Sequence, residues 1–128
     1  MKKKPGIFIA LVIAIAAYSS CSPKMSGGAG HRYKARFEVA GLCSNYTFSV
    51  IEGAIDPALV AATWTNPQTK KTYKKAFAIT NPCNFPSTLK QGDTFYFEII
   101  PEEKGQNCAV CMAYYPTPEK RLTIKVIQ

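Results

Sequence analysis

The stretch "NCAVCMAYYPTPEK" near the C-terminus sets Cys108 and Cys111 two residues apart, just ahead of Tyr114 and Tyr115. Three chemistries are open to cysteines in such a pattern. A dithiol exchanges disulfides when one sulfur is held as thiolate by a helix N-terminus or a nearby cation. Together with Cys43 and Cys83 the pair supplies four sulfurs, the number that a tetrahedral zinc takes. Oxidised, the same four form two structural bridges. Cys111 is followed by Met112, Ala113, Tyr114, Tyr115 and Pro116, which reads as strand and turn, so the helical setting of a reactive thiolate is lacking. Zinc finds only half its usual frame, since Cys43 and Cys83 are far apart where two to four intervening residues are usual. Bridges are therefore the expected state of Cys43, Cys83, Cys108 and Cys111, in any of three pairings. One of these joins Cys43 to Cys83, restrains the unfolded chain by roughly 3 to 4 kcal/mol on the entropy model, and leaves Cys108 and Cys111 as a small local ring.

The N-terminus sets the compartment in which those sulfurs live. "MKKKPGIFIALVIAIAAYSSC" has three lysines, an apolar run over 7–17, small polar residues and then Cys21, the pattern of an export signal over 1–20. The apolar run is about half of the roughly 20 residues that a membrane-crossing helix needs. The segment resembles the signal peptide of a bacterial lipoprotein, with Tyr18, Ser19 and Ser20 forming a relaxed box of the kind used in Bacteroidetes. That resemblance implies cleavage before Cys21, lipidation of Cys21 with acyl groups such as palmitate, and attachment to a membrane through covalent lipid alone. Lys24 stands where outward-sorted lipoproteins often carry acids, which implies an anchored domain of the cell envelope that faces the periplasm. Residues 21–32 are too polar and glycine-rich to pack and read as a flexible tether.

Loss of the leader removes Lys2, Lys3 and Lys4 and lowers the formal net charge from +8 to +5. The remaining positive charge is scattered, apart from Lys70, Lys71, Lys74 and Lys75 in "KKTYKK". These are expected on a solvated loop, with an anionic membrane or a polyanion as the alternative use.

Outside the cysteines no catalytic set is visible. Asp56, Asp93, Glu52, Glu98, Glu102, Glu103 and Glu119 fall at turns or on outward strand positions. The single histidine, His31, belongs to the tether and would make a poor base. "GGAG" is followed by neither a helix nor the lysine and hydroxyl of a phosphate loop. The chain is expected to be no enzyme and to carry no cofactor. Aromatic residues offer more: Trp64, Tyr96, Tyr114 and Tyr115 are candidates for an amphipathic surface that binds a protein or a small molecule, with packing as their competing role. Tyrosines on a basic barrel also suit single-stranded nucleic acid, but an exported, tethered domain meets little of it.

Residues 33–128 suffice for one modest core, hence one domain. "YKARFEVAG" alternates, with Tyr33, Ala35, Phe37 and Val39 inward. "NYTFSVIEG" does the same with Tyr46, Phe48 and Val50 against Thr47, Ser49 and Ile51. Asp56 and Pro57 begin a helical turn that runs into a strand near Trp64. "TYKKAFAIT" offers Tyr73, Phe77 and Ile79 to the core, and "NPCNFPSTLKQGD" is a loop held down by Phe85 and Leu89. "TFYFEII" points Phe95, Phe97 and Ile99 one way and Tyr96 and Glu98 the other, after a turn at Gly92 and Asp93. "AVCMAYY" is expected as a strand, "PTPEK" as a rigid loop, and "RLTIKVI" as a last strand with Leu122, Ile124 and Val126 inward and Arg121, Thr123 and Lys125 in water. Five or six short antiparallel strands make this an all-β chain, a small OB-like barrel with a compact β-sandwich as the alternative.

The run from "GLCSNYTF" through Trp64, "YKKAFAITNPCNFP", "GDTFYFEI" and "NCAVCMAYYPTP" resembles small exported lipoproteins of Bacteroidetes whose body is an OB-like barrel and whose activity is not established. The resemblance implies that fold and carries over no catalytic residue. The chain is therefore expected to be a membrane-anchored envelope lipoprotein acting as a non-catalytic binding or structural module. Its alternative is a thiol-disulfide or zinc protein using Cys108 and Cys111.

Overall fold

A computed structural model of the chain describes residues 31–102, 108 and 111–128. The leader, Cys21, Lys24 and most of the tether lie outside the described residues, as do Glu103 and the first two residues of "AVCMAYY". The remainder is all β, with seven strands and three short 3-10 turns. The strands are β1 (Arg32–Ala40), β2 (Tyr46–Glu52), β3 (Ala61–Thr65), β4 (Thr72–Ile79), β5 (Thr94–Ile99), β6 (Arg121–Leu122) and β7 (Ile124–Ile127). They form one sheet in the order β3-β4-β2-β1-β5-β7, antiparallel between neighbours, and β6 makes a short parallel pair with β4.

Alternation explains most of this. Tyr33, Ala35, Phe37 and Val39 of β1 are buried, and Phe95 and Phe97 of β5 are buried while Tyr96 between them is exposed. Asp56 caps the 3-10 turn Pro57–Leu59, its carboxylate accepting from the Ala58 amide at 2.9 Å, and that turn delivers the chain into β3. Gly92, at φ +98°, supplies the reversal before β5; its amide donates to the Phe37 carbonyl at 2.7 Å, where β1 bulges. The core is dominated by rings. Phe48 lies 5.1 Å from Phe37, 5.4 Å from Phe77 and 5.5 Å from Phe95, and Phe85 closes over it at 5.1 Å. Each such ring, fully buried, stabilises the fold by about 1.5–3 kcal/mol.

Four expectations are corrected. Thr47 and Ser49 are buried alongside Phe48 and Val50, so β2 is covered on both faces, while β1 and β4 pair with its two edges. Lys74 and Lys75 belong to β4 rather than to a loop. The described part of "AVCMAYY", residues 111–115, is not a strand. The run "RLTIKVI" is divided at Thr123, which is buried instead of wet. There the Thr123 hydroxyl meets that of Thr80 at 2.6 Å, and its carbonyl accepts from the Ile100 amide at 2.9 Å. Asn81 completes the joint: its Nδ2 donates to the Ile124 carbonyl at 2.7 Å and its Oδ1 accepts from the Ile124 amide at 3.1 Å. The chain thus passes from pairing with β4 at Leu122 to pairing with β5 at Ile124 within two residues.

Candidate functional site: a stapled segment that presents Tyr114

Two bridges place the cysteines. Cys43 pairs with Cys111, Cα atoms 5.0 Å apart, and Cys83 pairs with Cys108 at 5.5 Å, within the span that a disulfide needs. The pairing of Cys43 with Cys83, and the small ring from Cys108 to Cys111, are not formed. Cys43 and Cys83 each lie in a 3-10 turn, Leu42–Ser44 between β1 and β2, and Pro82–Asn84 after β4. Their partners both belong to the long connection from β5 to β6. The Cys-x-x-Cys pair is therefore split between two turns, and each bridge draws that connection down onto the body.

Further contacts fasten the same segment. Asn45 Nδ2 donates to the Ala113 carbonyl at 3.2 Å and to the Leu42 carbonyl at 2.8 Å. Tyr115 is half-buried, and its hydroxyl accepts from Asn66 Nδ2 at 3.1 Å. Its ring lies so close to Gly41 that a Cβ there would come within 2.6 Å of Tyr115 Cδ1. Pro116 and Pro118 are buried, and Arg121 Nη2 reaches the Thr117 hydroxyl at 3.3 Å. Prolines donate no backbone hydrogen bond, so side chains and sulfur take the place of a ladder. With Tyr115 turned inward, Tyr114 points out: it is 86 % exposed, and Met112 is 97 % exposed. Leu42, 66 % exposed, adjoins the same bridge.

Tyr114 lines two clefts. One, of about 690 Å³, runs between the 41–45 turn, the end of β4 and residues 111–121, with Met112, Thr80 and Arg121 on its walls. The other, of about 470 Å³, lies between β3 and residues 114–120, where Tyr114 and Pro116 share the lining with Trp64, Pro67 and Lys120. Trp64 stacks on Tyr73 across the β3–β4 ladder, centroids 6.1 Å apart. Burial pushes the Tyr73 phenol above its ordinary pKa; the charges of Glu38 and Tyr115 add to the rise, and a hydrogen bond with Thr69 opposes it. Tyr73 is accordingly a neutral phenol supporting the indole.

Of the four aromatic candidates, Trp64 and Tyr114 come together at one cleft, and Tyr115 is the strut that holds Tyr114 out. Tyr96 sits elsewhere, on β5 between Lys34 of β1 and Ile127 of β7, with the Lys34 ammonium 5.3 Å from its ring centre. Met112, Leu42 and the buried Asn66 and Asn81 were not legible as site residues, because their roles depend on which turn the segment is pinned to. His31 is exposed at the start of β1. Among the described residues no group of three or more His, Cys, Asp or Glu converges as a metal site, and no helix is long and apolar enough to cross a membrane. The two bridges point to an oxidising, extracytoplasmic location. No family model, curated protein or solved structure matches this chain.

Proposed function

We propose that this protein is an exported, Cys21-lipidated component of a bacterial envelope, related in kind to the small lipoproteins of Bacteroidetes, and that it works as a non-catalytic binding module on an OB-like barrel. The pairing of strands supports the barrel: β1-β2-β4 continues through the parallel β6, the joint at Thr123, β7 and β5 back to β1, with β3 an added edge strand. In barrels of this kind the loops joining the first two and the last two strands flank the binding face. Here those are the 41–45 turn and the connection that carries Tyr114, and Cys43–Cys111 joins one to the other.

The observation that carries the reading is the exposure of Tyr114 and Met112 on a backbone fastened by a bridge, an asparagine and a buried tyrosine. A segment whose backbone is already fixed loses less freedom on binding, which is how preorganised surfaces gain affinity. Opposed to this stands the thiol or zinc reading, and the bridges favour binding: in the oxidised chain all four sulfurs are engaged, leaving no thiolate to attack a substrate or hold a metal. Trp64 is the chain's single tryptophan and lines the cleft, so its emission reports occupancy. Fractionated envelope glycans and peptides titrated into the oxidised protein should include one that shifts Trp64 emission saturably, with the shift weakened about tenfold or more in Tyr114→Ala. Ligand fractions that act equally on parent and variant would remove Tyr114 from the site, and reduction of the bridges giving a new reductase activity would favour the thiol reading.

A further inference from the structure

A third cavity lies away from Tyr114, between the 3-10 turn Pro57–Leu59, β3 and β4. It measures about 230 Å³ and is lined by Ile55, Pro57, Val60, Ala62, Lys74 and Lys75. Ile55 and Val60 are part of the core, so its floor is apolar, and the two lysines are its only charged residues. Successive residues of a regular strand point to opposite faces. Lys74 and Lys75 nevertheless border one hole, and the reason is visible in the backbone: Lys75 has φ +48° in the middle of β4. A residue with a Cβ held in that region costs of order 1–3 kcal/mol, and such positions cluster at ligand sites. No glycine or asparagine relieves it. Neither ammonium has an acidic partner among the described residues, whose ion pairs are Lys34–Glu52 and Arg36–Glu38. Asp56, beside the cavity wall, is engaged in capping the Ala58 amide.

We propose that this cavity binds the anion-terminated end of a short acyl chain, its first methylenes entering the hole and its carboxylate or phosphate held between Lys74 and Lys75. Lysine stems lie along apolar surface while their heads stay in water, which suits them to the rim of such a hole. The cavity is smaller than the roughly 300–1,000 Å³ of sites that enclose a drug-sized ligand, so the rest of the chain remains outside. An uncharged or cationic amphiphile of equal length would leave the ammoniums unsatisfied or repel them. This inference is independent of the Tyr114 surface.

Octanoate, octyl phosphate, octyl glucoside and octylammonium, each below its micelle-forming concentration, are titrated calorimetrically into the exported protein purified in oxidised form. The proposal expects one site per chain for octanoate, octyl phosphate or both, the tighter of the two naming the head group, and binding of the other two amphiphiles weaker by about tenfold or more, since a hydrogen bond to a charged group is worth that much. Lys74→Gln with Lys75→Gln should weaken the anionic ligand by the same factor and make binding insensitive to salt. Lys75→Gly should weaken binding while leaving the thermal midpoint unchanged or raised, because glycine accepts the left-handed conformation. Equal binding of octylammonium or octyl glucoside, undiminished binding in the double variant, or no binding of either anion would each overturn the proposal.

Discussion

Asn81 supplies Ile124 with both halves of a backbone partner, a donor at 2.7 Å and an acceptor at 3.1 Å, at the point where the chain passes from β6 to β7. Asn81 is 2 % exposed, so Asn81→Ala leaves an amide and a carbonyl without partners and without water. Each such orphan costs about 1–3 kcal/mol, and a loss of about 2–4 kcal/mol in urea unfolding is expected. Tyr73 gives a prediction in pH. Its folded pKa lies above the unfolded value near 10.0, first through burial and then through Glu38 and Tyr115. The native state therefore binds that proton more tightly than the unfolded state. The resulting contribution is complete below pH 10 and is lost as pH rises through the folded pKa. Stability of the parent should fall across that alkaline window while Tyr73→Phe falls less, with phenolate absorbance reporting one tyrosine that titrates late. Equal decline in both proteins would show that Tyr73 carries no such linkage.

At the scale of elements, alternation made β1, β2, β4 and β5 readable, because one face of each had to be apolar. The same rule misread residues 111–115. Met112, Tyr114 and Tyr115 look like strand residues, but Asn45, Asn66, Gly41 and Cys43 each claim part of that segment from elsewhere in the chain. Propensity has no knowledge of such partners. Thr123 was misplaced for a similar reason: a hydroxyl that reads as wet finds Thr80 inside. Lys74 and Lys75 read as a solvated run, and only the reversal at Lys75 reveals that they border one cavity. The bridge from Cys43 to Cys111 is expected to be the main restraint on the segment. Replacing both by serine should cost about 2–5 kcal/mol of stability, and amide exchange at residues 112–115 should rise well above that in the rest of the 41–45 contact region. Unchanged exchange there would assign the fastening to Asn45 and Tyr115 instead.

For the whole molecule, two bridges and a core built largely of aromatic rings belong together. A domain of this size has a modest core, and cross-links between its long connection and its turns offset that. All-β architecture and the cysteine inventory could be foreseen; which sulfur meets which could not, since pairing depends on the approach of Cα atoms in space rather than on spacing along the chain. A Cys-x-x-Cys divided between two turns staples the segment that presents Tyr114, whereas the same pair closed on itself would be a small local ring that ties the segment to neither turn. Peptide mapping of the protein digested without reductant, read by mass spectrometry, tests this directly. Cross-linked peptides joining Cys43 to Cys111 and Cys83 to Cys108 are the expected result; a bridge from Cys108 to Cys111, or free thiols at those two positions, would contradict it.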